Sequence, residues 1–90
     1  MKIEPLYNKR HNYSRYRVDG VEDVTKTERT KLCAVTGEMY RVVVDIKSAW
    51  NWMSNGMLIQ DAMPDLTLEQ REFLISGLTP EEFKELYKDE

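Results

Sequence analysis

Leu66-Thr67-Leu68-Glu69-Gln70-Arg71-Glu72-Phe73-Leu74-Ile75-Ser76-Gly77-Leu78-Thr79-Pro80-Glu81-Glu82-Phe83 decides how the last third of the chain folds, because it spells two short helices with their start and stop signals in place. A helix leaves its first amide groups without partners, and particular side chains satisfy them. Thr67 and Thr79 are the caps, and Gln70 and Glu82 each lie three positions further on, as a reciprocal capping box requires. Pro80 takes the first helical position, where its missing N–H is not needed, and Leu78 with Phe83 adds a hydrophobic staple. Gly77 supplies the left-handed residue that ends the first helix. The stretch therefore predicts a tight helix-turn-helix corner over 68 to 76 and 80 to 88. Its charge argues against reading DNA. Corners that read DNA set basic and amide side chains against phosphates and bases, whereas residues 61 to 90 carry nine acidic groups against Arg71, Lys84 and Lys88.

Upstream, Lys31-Leu32-Cys33-Ala34-Val35, Thr36-Gly37-Glu38 and Met39-Tyr40-Arg41-Val42-Val43-Val44 place β-branched and aromatic residues on either side of a glycine turn, which predicts a hairpin. Tyr40, Val42 and Val44 share one face of its second strand and are apolar enough to meet a core. Asp45 then caps a helix in which Ile46, Ala49, Trp50 and Met53 form one stripe and Gly56 supplies the stop. Trp52 falls off that stripe, so it either packs beneath a loop, the preferred reading, or serves as an exposed aromatic anchor. Met57 to Leu66 is a short apolar connection, either one helical turn or an extended crossing. Met39, Met53, Met57 and Met63 fill the core or line an adaptable groove, core filling being preferred.

The 90 residues are 41% apolar, which suits one modest domain. The fold class expected is α+β, a β-hairpin packed against three short helices, with residues 1–30 as a basic, aromatic arm and loop and 31–90 as the folded domain. No secretory signal or membrane span is legible, so the expected setting is the cytoplasm. The single Cys33 reads as a small buried residue, and with His11 as the lone histidine there is no set of three or four N/S ligands for zinc, so neither a metal nor another cofactor is expected. The net charge of −3 conceals an asymmetry: residues 1–20 carry +3 and residues 61–90 carry −6. The ends are suited to contact each other or to serve different surfaces.

Tyr7-Asn8-Lys9-Arg10-His11-Asn12-Tyr13-Ser14-Arg15-Tyr16-Arg17 interleaves rings with cations, the combination that stacks bases and tracks phosphates. Tyr7, Lys9, Arg10, Tyr13, Arg15, Tyr16 and Arg17 would carry nucleic-acid binding, in which case removing residues 1 to 17 abolishes it and spares the fold. The same residues can equally form an edge strand or an extended arm, and the plainer reading, an arm packing on the acidic helices or remaining mobile, is preferred. Val18 to Asp23 reads as a turn, and Val24 to Thr30 as a loop or exposed strand.

The words Gly56-Met57-Leu58-Ile59-Gln60-Asp61-Ala62-Met63-Pro64-Asp65-Leu66, Arg71-Glu72-Phe73-Leu74-Ile75-Ser76-Gly77 and Thr79-Pro80-Glu81-Glu82-Phe83 resemble those of a family of small uncharacterised bacteriophage and prophage proteins. The resemblance covers about residues 35 to 87. It implies a phage-type origin and expression in a bacterial host cell, and it carries no reaction and no catalytic residues.

The inventory argues against an enzyme. A nucleophile needs a base held by a third group, yet His11 lies in the arm and Cys33 in a strand, and the four glycines are isolated turn or cap residues rather than a phosphate-cradling loop. The acidic helices are too weakly charged overall to imitate DNA phosphate. The expected function is non-catalytic binding of a host or phage protein, with inhibition or modulation of host defence, transcription or replication as the roles in view and homo-oligomerisation left open. Its contact residues, if exposed, are Trp52, Met57, Phe83 and Tyr87. The alternative is single-stranded nucleic-acid binding through the arm.

Overall fold

Asp19 and Gly20, both in left-handed backbone at φ 52° and 80°, close a two-residue turn between β1 (Tyr13–Val18) and β2 (Val21–Leu32). Two successive positive φ angles match the twist of a tight hairpin, and an Asp-Gly pair adopts them readily. The computed structural model describes residues 13–88. A second turn, closed by the Cys33 amide on the Glu38 carbonyl at 2.8 Å and the Gly37 amide on the Cys33 carbonyl at 2.9 Å, leads into β3 (Met39–Asp45). The sheet is antiparallel in the order β1-β2-β3. Four helices follow: α1 (Ile46–Ser54), α2 (Ile59–Ala62), α3 (Leu68–Ser76) and α4 (Pro80–Tyr87).

The protein is thus α+β, with two additions to the sequence reading: a third strand and a fourth, single-turn helix. The boundary drawn between Thr30 and Lys31 falls inside β2, because that strand pairs with β1 from Val21 to Arg29 and with β3 from Lys26 to Leu32. Threonine-rich, charged residues form it where a loop or exposed strand was expected. Their charged ends reach solvent or a partner, and their backbones are satisfied by the ladders on both sides.

Tyr40, Val42 and Val44 face the helices as expected, Val42 at 1% exposure, and across the register Lys31, Arg29 and Thr27 stand beside them. Thr27 is buried and donates its hydroxyl to the Ser14 carbonyl at 2.7 Å, so a polar residue at the centre of the sheet is satisfied locally. Ile46 and Ala49 of α1, Ile59 and Ala62 of α2, Met63, and Phe73 and Leu74 of α3 complete the core, with Trp50, Trp52 and Met53 packed against it. Tyr13 belongs to this core, and burial pushes its hydroxyl up to about 12, Arg29 opposing.

Asp45 does occupy the N-cap of α1, but its side chain makes no capping hydrogen bond. The amides of Asn55 and Met57 both return to the Asn51 carbonyl, with Gly56 at φ 76° between them, so the stop expected at Gly56 is present. Around α3 the capping box is complete: the Gln70 amide donates to Thr67 Oγ1 at 3.1 Å and the Thr67 amide to Gln70 Oε1 at 2.9 Å. Thr67→Ala is expected to cost about 1 kcal/mol, read as a lowered urea midpoint at unchanged slope, since Thr67 is exposed and little beyond the cap is lost.

Candidate functional site

The second capping box is buried. The Glu82 amide donates to Thr79 Oγ1 at 3.2 Å and the Thr79 amide to Glu82 Oε1 at 3.0 Å, with Thr79 wholly excluded from solvent and Glu82 nearly so. The same carboxylate accepts from Lys31 Nζ at 2.7 Å and, through Oε2, from the Ala34 amide at 2.7 Å. Thr79 Oγ1 also lies 3.1 Å from Cys33 Sγ. One acidic side chain therefore caps α4 and ties its first turn to the end of β2 and the turn beyond it. Lys31 and Arg29, standing side by side on the helix-facing side of the sheet, finish the corner. Lys31 Nζ donates to the Gly77 carbonyl at 3.1 Å, and Arg29 Nη1 to the Leu74 carbonyl at 2.9 Å. Both place positive charge at the carbonyl end of α3, where the helix dipole is negative.

Hydrogen bonding from Lys31 first, then from the Ala34 and Thr79 amides, holds the Glu82 carboxyl well below its ordinary 4.5, at about 2. A carboxyl depressed on folding contributes stability that is complete above its unfolded value and is lost as pH falls through the interval down to the folded one. The protein is therefore expected to lose stability between about pH 4.5 and 2. The loss should be shallower for Glu82→Gln, as measured by urea unfolding at several pH values; parallel curves for the two proteins would assign the acid sensitivity elsewhere.

Anchoring through Glu82 decides what the rest of α4 does. Its only buried side chain is this carboxylate, whereas Phe83, Leu86 and Tyr87, at the three- and four-residue spacing that ordinarily meets a core, are exposed at 36, 63 and 44%. The rings of Phe83 and Tyr87 meet at a tilt of 44°, centroids 4.6 Å apart. Beside them Leu68, Glu69, Glu72, Leu78, Pro80, Phe83 and Lys84 line a groove of about 220 Å³ between α3 and α4. On the far side of Leu78 a shallower depression of about 430 Å³ is lined by Ala34, Val35 and Leu86 with Lys31, Glu82 and Glu85. The corner thus presents exposed apolar side chains on a helix anchored inward by a single carboxylate, Glu82, while Glu81, Lys84 and Glu85 reach solvent.

Of the four contact residues read from the sequence, Phe83 and Tyr87 are brought together on this face. Met57 is exposed in the connection after α1, and Trp52 is half-buried against the core, so of its two expected placements the exposed anchor, on which its role as a contact depended, does not hold. The methionines do not form one groove: Met63 is buried, Met53 packs on the core, and Met39 is exposed on β3 opposite Leu32. Leu86, Leu68 and Leu78 were missed. The signal that would have found Leu86 is its three-residue spacing from Phe83, which puts it on the same stripe as Phe83 and Tyr87.

Within the basic segment, Tyr7, Lys9 and Arg10 lie outside the described residues. Tyr13 is a core residue and its ring cannot serve as a platform for a base. Arg15 pairs with Glu22 at 3.1 Å, Arg17 is exposed and Tyr16 half-buried, all on β1. Removing residues 1 to 17 would therefore strip a strand from the sheet, so a truncation that spares the fold has to stop before Tyr13. Cys33 is buried as expected, at the end of β2 rather than inside a strand. Hydrogen bonds from Thr36 and then Thr79 hold its thiol below the ordinary value against the opposing effect of burial.

Among the described residues no helix is long and apolar enough to cross a membrane. The chain matches no protein-family model, no curated protein and no solved structure.

Proposed function

We infer that the protein acts by binding another protein through the exposed apolar face of α4, without catalysis of its own. The observation that carries this reading is the exposure of the α4 apolar stripe, in which Glu82 is buried while Phe83, Leu86 and Tyr87 reach solvent. An apolar stripe of that kind, next to a groove and held on an anchored helix, has the composition of a binding hot spot, in which clustered aromatic residues dominate the energy. The Cys33 sulfur supports the non-catalytic half of the reading, because it is buried and faces a threonine hydroxyl rather than a base. The resemblance to small phage and prophage proteins makes a host or phage protein the expected partner and the cytoplasm of a bacterial host the expected setting. Inhibition or modulation of that partner is the expected consequence.

The test is affinity capture from nuclease-treated bacterial lysate with the full chain and with a Phe83→Gln/Tyr87→Gln variant. Capture of a protein by the parent and its loss by roughly a hundredfold in affinity on substitution is the expected outcome, since two central aromatic anchors are removed together. Retention of the same proteins by the variant would overturn this reading. Recovery that disappears with nuclease would point to nucleic acid as the ligand.

A further inference from the structure

We propose that the groove between α3 and α4 receives one large apolar side chain from a basic amphipathic segment of the partner, with Lys or Arg residues flanking that side chain. This inference rests on the protein-binding reading above and names the chemistry of the partner. Two carboxylates, Glu69 and Glu72, stand in the wall of the groove, and Glu81 stands in the first turn of α4. None of the three makes an ion pair or a side-chain hydrogen bond among the described residues. Lys84 is the single cation lining the groove. Glu81 lines a separate depression with Cys33, Glu38 and Tyr40, so the negative charge of the groove wall itself comes from Glu69 and Glu72. An apolar slot bordered by unpaired negative charge is complementary to an apolar residue flanked by positive charge.

A second copy of this chain fits less well. Pairing α4 with α4 across a two-fold axis would bring Glu69 and Glu72 of both copies to one interface, where like charges oppose association. The complementary partner is therefore a different sequence, and its binding is expected to weaken with salt, because the charges at the groove are solvent-exposed or partly so.

The probe is a fluorescent amphipathic peptide of leucine and lysine, about fourteen residues or four helical turns long, with a counterpart in which every lysine is replaced by glutamate. Each is titrated against the full chain by anisotropy. The lysine peptide is expected to bind at least about tenfold more tightly than the glutamate peptide, with the difference shrinking as salt is raised. Glu69→Gln/Glu72→Gln is expected to weaken the lysine peptide about fivefold or more. Asp19→Asn/Asp61→Asn, which makes the same change in net charge away from the groove, should leave its binding within about twofold. Equal affinity for the two peptides, both lost in Phe83→Gln, would overturn the charge preference while the protein-binding reading stood. Equal effects of the two double substitutions would also overturn it, reducing the effect to net charge. A Phe83-dependent dimer in sedimentation would overturn it in favour of a second copy.

Discussion

Phe73→Ala is expected to destabilise the fold by about 3–5 kcal/mol, a large share of the roughly 5–13 kcal/mol available to a domain of this size. Phe73 is fully buried, and its ring is the point at which three elements meet. Tyr40 of β3 meets it edge-on at 4.9 Å between centroids, Arg29 of β2 lies over it at 5.4 Å, and Leu74 beside it on α3 enters the same core. Truncation removes the transfer energy of the ring and leaves a cavity that the sheet, tied on both sides by its ladders, cannot collapse to fill. It also removes the surface on which the Arg29 guanidinium lies while that group bonds the Leu74 carbonyl. Phe73→Leu keeps most of the apolar volume and is expected to cost less, about 1–2 kcal/mol. The check is equilibrium urea unfolding followed by tryptophan fluorescence, since Trp50 and Trp52 both pack on this core. A cost below about 1 kcal/mol for the alanine variant would place the ring outside the core.

Glu82→Ala is expected to have the second large effect, and a local one. Three donors lose their acceptor at once: the Lys31 ammonium, the Ala34 amide and the Thr79 amide. The Thr79 amide is buried and, left without a partner, carries its full desolvation penalty, whereas Lys31 keeps the Gly77 carbonyl and Ala34 lies at the surface. The helix that depends on them is eight residues long, below the length at which a helix holds itself in water. Hydrogen exchange is the appropriate measurement: the α4 amides should lose protection in Glu82→Ala, whereas those of α3 beyond its last turn and of β2 and β3 stay protected. Glu85→Ala, one turn further along α4, removes only an exposed pair with Lys88 and is expected to leave protection unchanged. If both variants behaved alike, Glu82 would be an ordinary surface carboxylate.

Much of this architecture was legible in the sequence, because the residues concerned act locally. Both capping boxes, the Gly77 break, Pro80 at the first turn and the alternation of Tyr40, Val42 and Val44 depend on neighbours within a few positions. The first hairpin was less legible for a physical reason. Asp19-Gly20 marks a tight turn, but the strand that follows it is rich in threonine and charge, and its stability comes from lying between two partners rather than from an apolar face. Residues from Tyr13 onward consequently read as a separate arm although Tyr13 is core. Trp52 was left open between packing and exposure because it falls off the α1 stripe, and it is large enough to reach the core from the flank. The face of α4 was half legible. Phe83 and Tyr87 could be named, but which way the helix is turned depends on Lys31 and Ala34, which lie 51 and 48 positions away from Glu82 and are brought to it only by the fold.

The inside-out placement of α4 is tested most directly by comparing the unfolding free energies of the parent chain and a Leu86→Gln/Tyr87→Gln variant in urea. With both side chains in solvent and glutamine a good helix former, the variant is expected to fall within about 0.5–1 kcal/mol of the parent at unchanged slope. A loss of about 3 kcal/mol or more, the magnitude of a core truncation, would show that the apolar stripe of α4 packs inward and would contradict both the anchoring role of Glu82 and the exposed binding face built on it.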